Sequence, residues 1–173
     1  MRVRGTLSPT RIINLLEDAT IPIRLACRTP ADNLWMCSLW YRLERTEADE
    51  PANGETETET ETDGEWRLRC ATAASADIVS FLEADPRVAF EVSTNQPPYA
   101  GVRGRGAVSI DPDPEKETLR DLLERYLGDT ESELAGELLD DDREEVTITI
   151  EPAAVYGWDF AERMSDVEAT DSS

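Results

Sequence analysis

The chain has no histidine and a single lysine, Lys116, among 17 basic residues, against 38 acidic ones. Without histidine there is no Ser-His-Asp triad and no His-ligated metal or haem, and the usual general acid and base near neutral pH is missing. Serine and cysteine hydrolases are therefore disfavoured. Apolar runs long enough to span a bilayer are lacking, and so is the apolar core of a signal peptide. The three cysteines, Cys27, Cys37 and Cys70, are odd in number and lie in apolar strand-like segments, so they read as reduced core residues rather than a disulfide framework. Zinc would require closer spacing and histidine partners. There is also no P-loop, and no GxGxxG motif preceding a helix.

What is present is charge of one sign. A formal net charge of -21 strains a compact fold in dilute buffer, and concentrated salt screens that repulsion. The expectation is a salt-adapted cytoplasmic protein, with an ordinary acidic protein as the alternative. Nucleic acid, which rewards a basic surface, and anionic membranes are both unsuitable partners. Hydrophobic residues still make up 39% of 173 residues, enough for one domain with a substantial core, expected over residues 1–164 with an acidic tail at 165–173.

The patterning predicts a helix capped by Ser8 with Pro9 in its first turn, then strands at 21–27, 34–43, 66–72, 88–92, 101–110 and 146–150. The 34–43 segment is apolar on both faces, which predicts a central or interface position covered on both sides. Residues 45–64, with an alternating Glu-Thr run, read as a mobile acidic loop. Helices are expected after Ser75 as N-cap, over 119–127 up to Gly128, and after Thr130 with Glu133 as a capping box. This order predicts an α+β fold, mainly β: a six-stranded, largely antiparallel sheet closed or nearly closed into a barrel, with peripheral helices.

Four arginines stand out from the acidic background. Arg67 and Arg69 share one strand face, and so do Arg103 and Arg105, each pair at the period of two. Two such pairs suit a phosphate or carboxylate cradle; as surface residues they equally suit ordinary ion pairs with nearby carboxylates. Trp35, Trp40, Trp66, Tyr99 and Trp158 read as core or interface aromatics, one or two of which would be free to flank a planar ligand.

The segments 21–43 and 69–82, the step Ala84-Asp85-Pro86-Arg87-Val88-Ala89-Phe90 and the strand Gly101-Val102-Arg103-Gly104-Arg105-Gly106 together resemble the pyridoxamine 5'-phosphate oxidase-like, FMN-binding split-barrel family, in a haloarchaeal form. The resemblance spans about residues 5–160. It implies a split β-barrel, a homodimer, FMN in a cleft between the subunits, a deazaflavin as an alternative cofactor, and a small-molecule redox substrate. It also implies that Cys37, Ser38, Leu39 and Trp40 run along the flavin ring and that Ala71, Thr72 and Ser75 hold the phosphate. Where the family has Ser followed by Arg-Lys, this chain has Ser75-Ala76-Asp77, which removes two cations and adds a carboxylate that repels phosphate. The expectation is therefore an FMN-dependent oxidoreductase in which Arg67, Arg69, Arg103 or Arg105 takes over the phosphate. The competing expectation is a cofactor-less binding or stress-related split barrel.

Overall fold

The computed structural model describes residues 1–45 and 65–165, so residues 46–64 of the expected acidic loop and 166–173 of the expected tail lie outside the described residues, while Arg45 belongs to a strand. Eight strands and four α-helices follow one another as β1 (Arg2–Gly5), α1 (Pro9–Asp18), β2 (Ile23–Arg28), β3 (Leu34–Leu39), β4 (Arg42–Arg45), β5 (Trp66–Ala73), α2 (Asp77–Ala84), β6 (Arg87–Ser93), β7 (Ala100–Pro112), α3 (Glu117–Leu127), α4 (Glu133–Leu138) and β8 (Glu145–Asp159). The hydrogen-bonded order is β3-β2-β6-β7-β8-β5-β4, and β1 adds to β8 in parallel. Every other pairing is antiparallel.

This is the α+β split barrel, with an open sheet. The two ends of the path, β3 and β4, are consecutive in sequence and separated only by Trp40 and Tyr41. One stretch of chain thus pairs with β2 first and with β5 afterwards. Tyr41 is fully buried at the break; its hydroxyl donates to the Leu16 carbonyl of α1 at 2.9 Å, and burial pushes its pKa upward. The expected six strands all form, the 34–43 segment being divided into β3 and β4, and β1 is an addition.

Alternation places Ile23, Leu25 and Cys27 of β2, Leu68 and Cys70 of β5, Val88, Phe90 and Val92 of β6, and Ile148 and Ile150 of β8 in the core. Helix α1 covers one end with Ile12, Ile13 and Leu16, and α2 closes another side with Ile78, Val79 and Leu82. Helices α3 and α4 pack Leu119, Leu123 and Ala135 over Trp40 and Ala71 on the outer side of β5. No helix among the described residues is long and apolar enough to cross a membrane.

Three local expectations are corrected or narrowed. Residues 34–39 form an edge strand, which removes the central position and keeps the interface one: Trp35, Cys37 and Leu39 face the core, but Leu34 and Met36 are 82% and 63% exposed on the outer face. The N-cap of α2 is Ala76, without a side-chain hydrogen bond, and Ser75 lies one residue before it. The N-cap of α4 is Ser132 rather than Thr130; its hydroxyl accepts from the Ala135 amide at 3.2 Å.

Candidate functional site

Strand register places outward-facing side chains from six strands in two adjacent rows. Following the pairings from β3 through β2, β6, β7 and β8 to β1, the first row reads Ser38, Arg24, Glu91, Arg103, Tyr156, Arg4. The second reads Met36, Ala26, Ala89, Arg105, Ala154, Arg2. Five arginines of an acidic chain therefore border one concavity of about 680 Å³, and Glu91 is the only carboxylate among the described residues that line it.

That carboxylate is already engaged. Glu91 accepts from Arg24 at 3.4 Å and from the Ser93 hydroxyl at 2.9 Å, while Arg24 also donates to Ser93 at 3.1 Å and to Asn95 at 2.7 Å. Arg103 stacks instead on aromatic faces, with its guanidinium carbon 5.0 Å from the Tyr156 ring centre and 5.5 Å from that of Trp158. Among the described residues Arg2, Arg4, Arg103 and Arg105 make no ion pair, whereas Arg11, Arg28, Arg42, Arg45, Arg67, Arg69, Arg87 and Arg143 each have a carboxylate partner. Four cations without an acidic partner thus border the concavity, while Lys116, Arg120, Arg125 and Arg163, which also have none among the described residues, do not line it.

Glycines make this geometry possible. A Cβ on Gly104 would stand 2.5 Å from the Phe90 ring and 2.8 Å from the Ala154 carbonyl, and one on Gly106 would meet the Glu151 carbonyl at 2.1 Å. Beside them the register slips, Arg105 pairing with Ala154 and Gly106 with Pro152, so that Ala153 is skipped. The close approach of β8 to β7 holds Arg103 and Arg105 opposite Tyr156 and Ala154, all on the same face.

The residues expected from the sequence separate into two regions. Arg103 and Arg105 border the concavity, and Ser38 is in register with Arg24 at the end of the first row. Cys37 and Leu39 face the core, and burial pushes the Cys37 thiol up to about 11. Trp40 stacks on Tyr126 with ring centres 5.1 Å apart, under α3. Arg67 and Arg69 both reach Glu44, at 2.8 and 3.5 Å, and β8 lies between their strand and that of Arg103 and Arg105. Ala71 is packed by α3 and α4, Thr72 pairs with Val146, and Ser75 is exposed in the turn before Asp77 opens α2. Thr147 beside Ala71 and Ala154 beside Arg105 are about 20 Å apart along β8. Arg69 itself is in register with Thr149 and held by Glu44, across β8 from Arg103 and Arg105, which are in register with Tyr156 and Ala154.

Sequence reasoning missed Arg2, Arg4, Arg24, Glu91 and Tyr156. The Arg2-Val3-Arg4 alternation carries the same period-two signal as the strand arginines, but its partner strand lies some 150 residues away.

No family model matches the chain, and neither does any curated protein. Solved structures do. A conserved hypothetical protein from Mycobacterium tuberculosis is 18% identical with a TM-score of 0.65, over 98% of this chain and 94% of that one. An F420 reductase is 24% identical with a TM-score of 0.60, over 82% and 93%. A FAD-binding protein from Mesorhizobium loti is 17% identical with a TM-score of 0.54, over 87% and 92%. At these identities the likeness is one of architecture, and what this chain shares with them is the split-barrel fold.

Proposed function

We propose that this protein binds a redox cofactor of the flavin type, flavin or deazaflavin, on the arginine-bordered face and serves as an oxidoreductase for a small molecule. One observation carries this reading: a methyl-floored strip of sheet lies directly beside arginines that have no acidic partner. Ala26 and Ala89 are adjacent in the second row, framed by Met36 on one side and Arg105 on the other. Such a floor accepts a planar ring face to face, and Arg103 and Arg105 offer bidentate donors to the phosphate or carboxylates such a cofactor carries. The residues present therefore fit the group. The likeness to an F420 reductase and to a FAD-binding protein points the same way.

A cofactor of this class supplies hydride transfer by itself, so the absence of histidine is no obstacle. This chain's residues bind and orient it. The alanines set the depth of the ring, Met36 closes one edge, Arg24 is held by Glu91, Ser93 and Asn95, and Arg103 is braced by Tyr156 and Trp158. FMN, the flavin implied by the sequence resemblance, would place its phosphate on Arg103 and Arg105 rather than beside Asp77. Exposed Leu34 and Met36 at the rim favour a homodimer in which a second copy covers the face and excludes water.

The test is a titration of protein in molar salt with FMN, FAD and F420, followed by quenching of cofactor fluorescence. Saturable binding of at least one is expected, weakened about tenfold in Arg105→Gln, since a charge-assisted hydrogen bond contributes roughly that much. If none of the three binds, the second reading gains: a cofactor-less binding protein, favoured by Asp77 at the helix start where the resemblance places a basic pair.

A further inference from the structure

Within the concavity, the four arginines without acidic partners form a rectangle of their own. Arg103 and Arg105 stand on β7, Arg4 and Arg2 stand at the matching positions of β1, and Tyr156 and Ala154 of β8 lie between them. Residues two apart on a strand are about 7 Å apart, and strands on either side of a shared neighbour about 10 Å. The rectangle therefore has two cross-strand slots. One lies over the Ala154 methyl between Arg105 and Arg2, where the small side chain leaves room. The other lies at Tyr156 between Arg103 and Arg4, where the ring already carries the Arg103 guanidinium at 5.0 Å.

Four like charges at this separation repel one another, and nearby carboxylates normally relieve such repulsion. Here Glu91 is taken by Arg24 and Ser93, on the far side of Arg103 from the rectangle. A single anion would engage one slot and leave the other pair uncompensated.

We propose that Arg2, Arg4, Arg103 and Arg105 form a receptor for a ligand bearing two anionic groups about 7 Å apart, one above Ala154 and one beside Tyr156, of the kind found in a linear polyphosphate or a dicarboxylate. This rests on the cofactor reading for its location, because Arg103 and Arg105 are shared, and it narrows that reading: the cofactor or substrate that binds here extends past the alanine floor toward β1 as a bis-anion.

Inorganic probes separate the two ideas. Binding of phosphate, tripolyphosphate and glutarate to the full chain is measured by calorimetry in molar salt at matched ionic strength. Tripolyphosphate is expected to bind at least about tenfold more tightly than phosphate. Arg4→Gln and Arg105→Gln should each erase most of that difference, because only one slot survives in each. Circular dichroism of both variants checks that the fold is retained; these side chains are exposed, so it should be. Equal binding of phosphate and tripolyphosphate would overturn the proposal. So would Arg4→Gln with tripolyphosphate affinity intact, or arginine variants that change the oligomeric state but not polyanion binding. Tight tripolyphosphate binding without any flavin-type cofactor binding would retain the receptor and remove the cofactor reading; cofactor binding without discrimination among the probes would do the reverse.

Discussion

The smallest residues of the site control the largest. Arg103 and Arg105 reach the same face because Gly104, between them, lets the Phe90 ring and the Ala154 carbonyl fill the space where a side chain would stand. Gly104→Ala places a methyl group against both, and the backbone oxygen cannot retreat as a flexible side chain would. The expected loss of stability is about 1–3 kcal/mol, read from urea unfolding in high salt. Because relief would come from pushing β8 away from β7, the same variant should also weaken anion binding although it removes no charge. Glu91 works oppositely: it adds a negative charge to an anion-binding surface, yet by holding Arg24 it fixes a cation in the row.

At the level of elements, the break between β3 and β4 turns one edge of the sheet toward the other. Tyr41 secures it, with its hydroxyl on Leu16 and the Arg125 guanidinium 5.7 Å from its ring centre. Tyr41→Phe should cost about 1 kcal/mol, seen as a lower urea midpoint, since Arg125 still donates to the Leu16 carbonyl. The strands themselves were readable because Val88, Phe90 and Val92 alternate with the smaller Ala89 and the charged Glu91, and Ile148 and Ile150 flank Thr149. Residues 34–43 were legible only in part: apolar side chains on both faces suit a central strand or an interface, and it takes the sheet order to put β3 at an edge, where Leu34 and Met36 find no cover within one subunit. The candidate site was half legible. Arg103 and Arg105 announce themselves within a single strand, whereas their association with Arg4, Arg24 and Tyr156 is a matter of register between strands, which the local pattern does not contain. The β1 strand went unread because its Arg-Val-Arg alternation, with Val3 as the one apolar side chain in four residues, is too short to distinguish a strand from a loop.

For the whole molecule, a formal charge of -21 and a local cluster of arginines make opposite demands on salt. At low ionic strength the acidic surface repels both itself and any anionic ligand; in molar salt the screening length shrinks to roughly 3 Å and only contact-range charges matter. Far-ultraviolet circular dichroism should therefore show loss of sheet structure as salt is dialysed away, and a melting curve unchanged at low salt would refute salt adaptation. Strand β8 adds a constraint of another kind. It pairs with β5, with β7 and with β1, near the opposite end of the chain, so its 15 residues complete most of the sheet. During synthesis the earlier strands must wait for it, exposing apolar faces until residues 145–159 have left the ribosome. The anion receptor accordingly forms late relative to its parts: Arg4 is translated some 150 residues before Tyr156, but it becomes part of a site only when Tyr156 arrives.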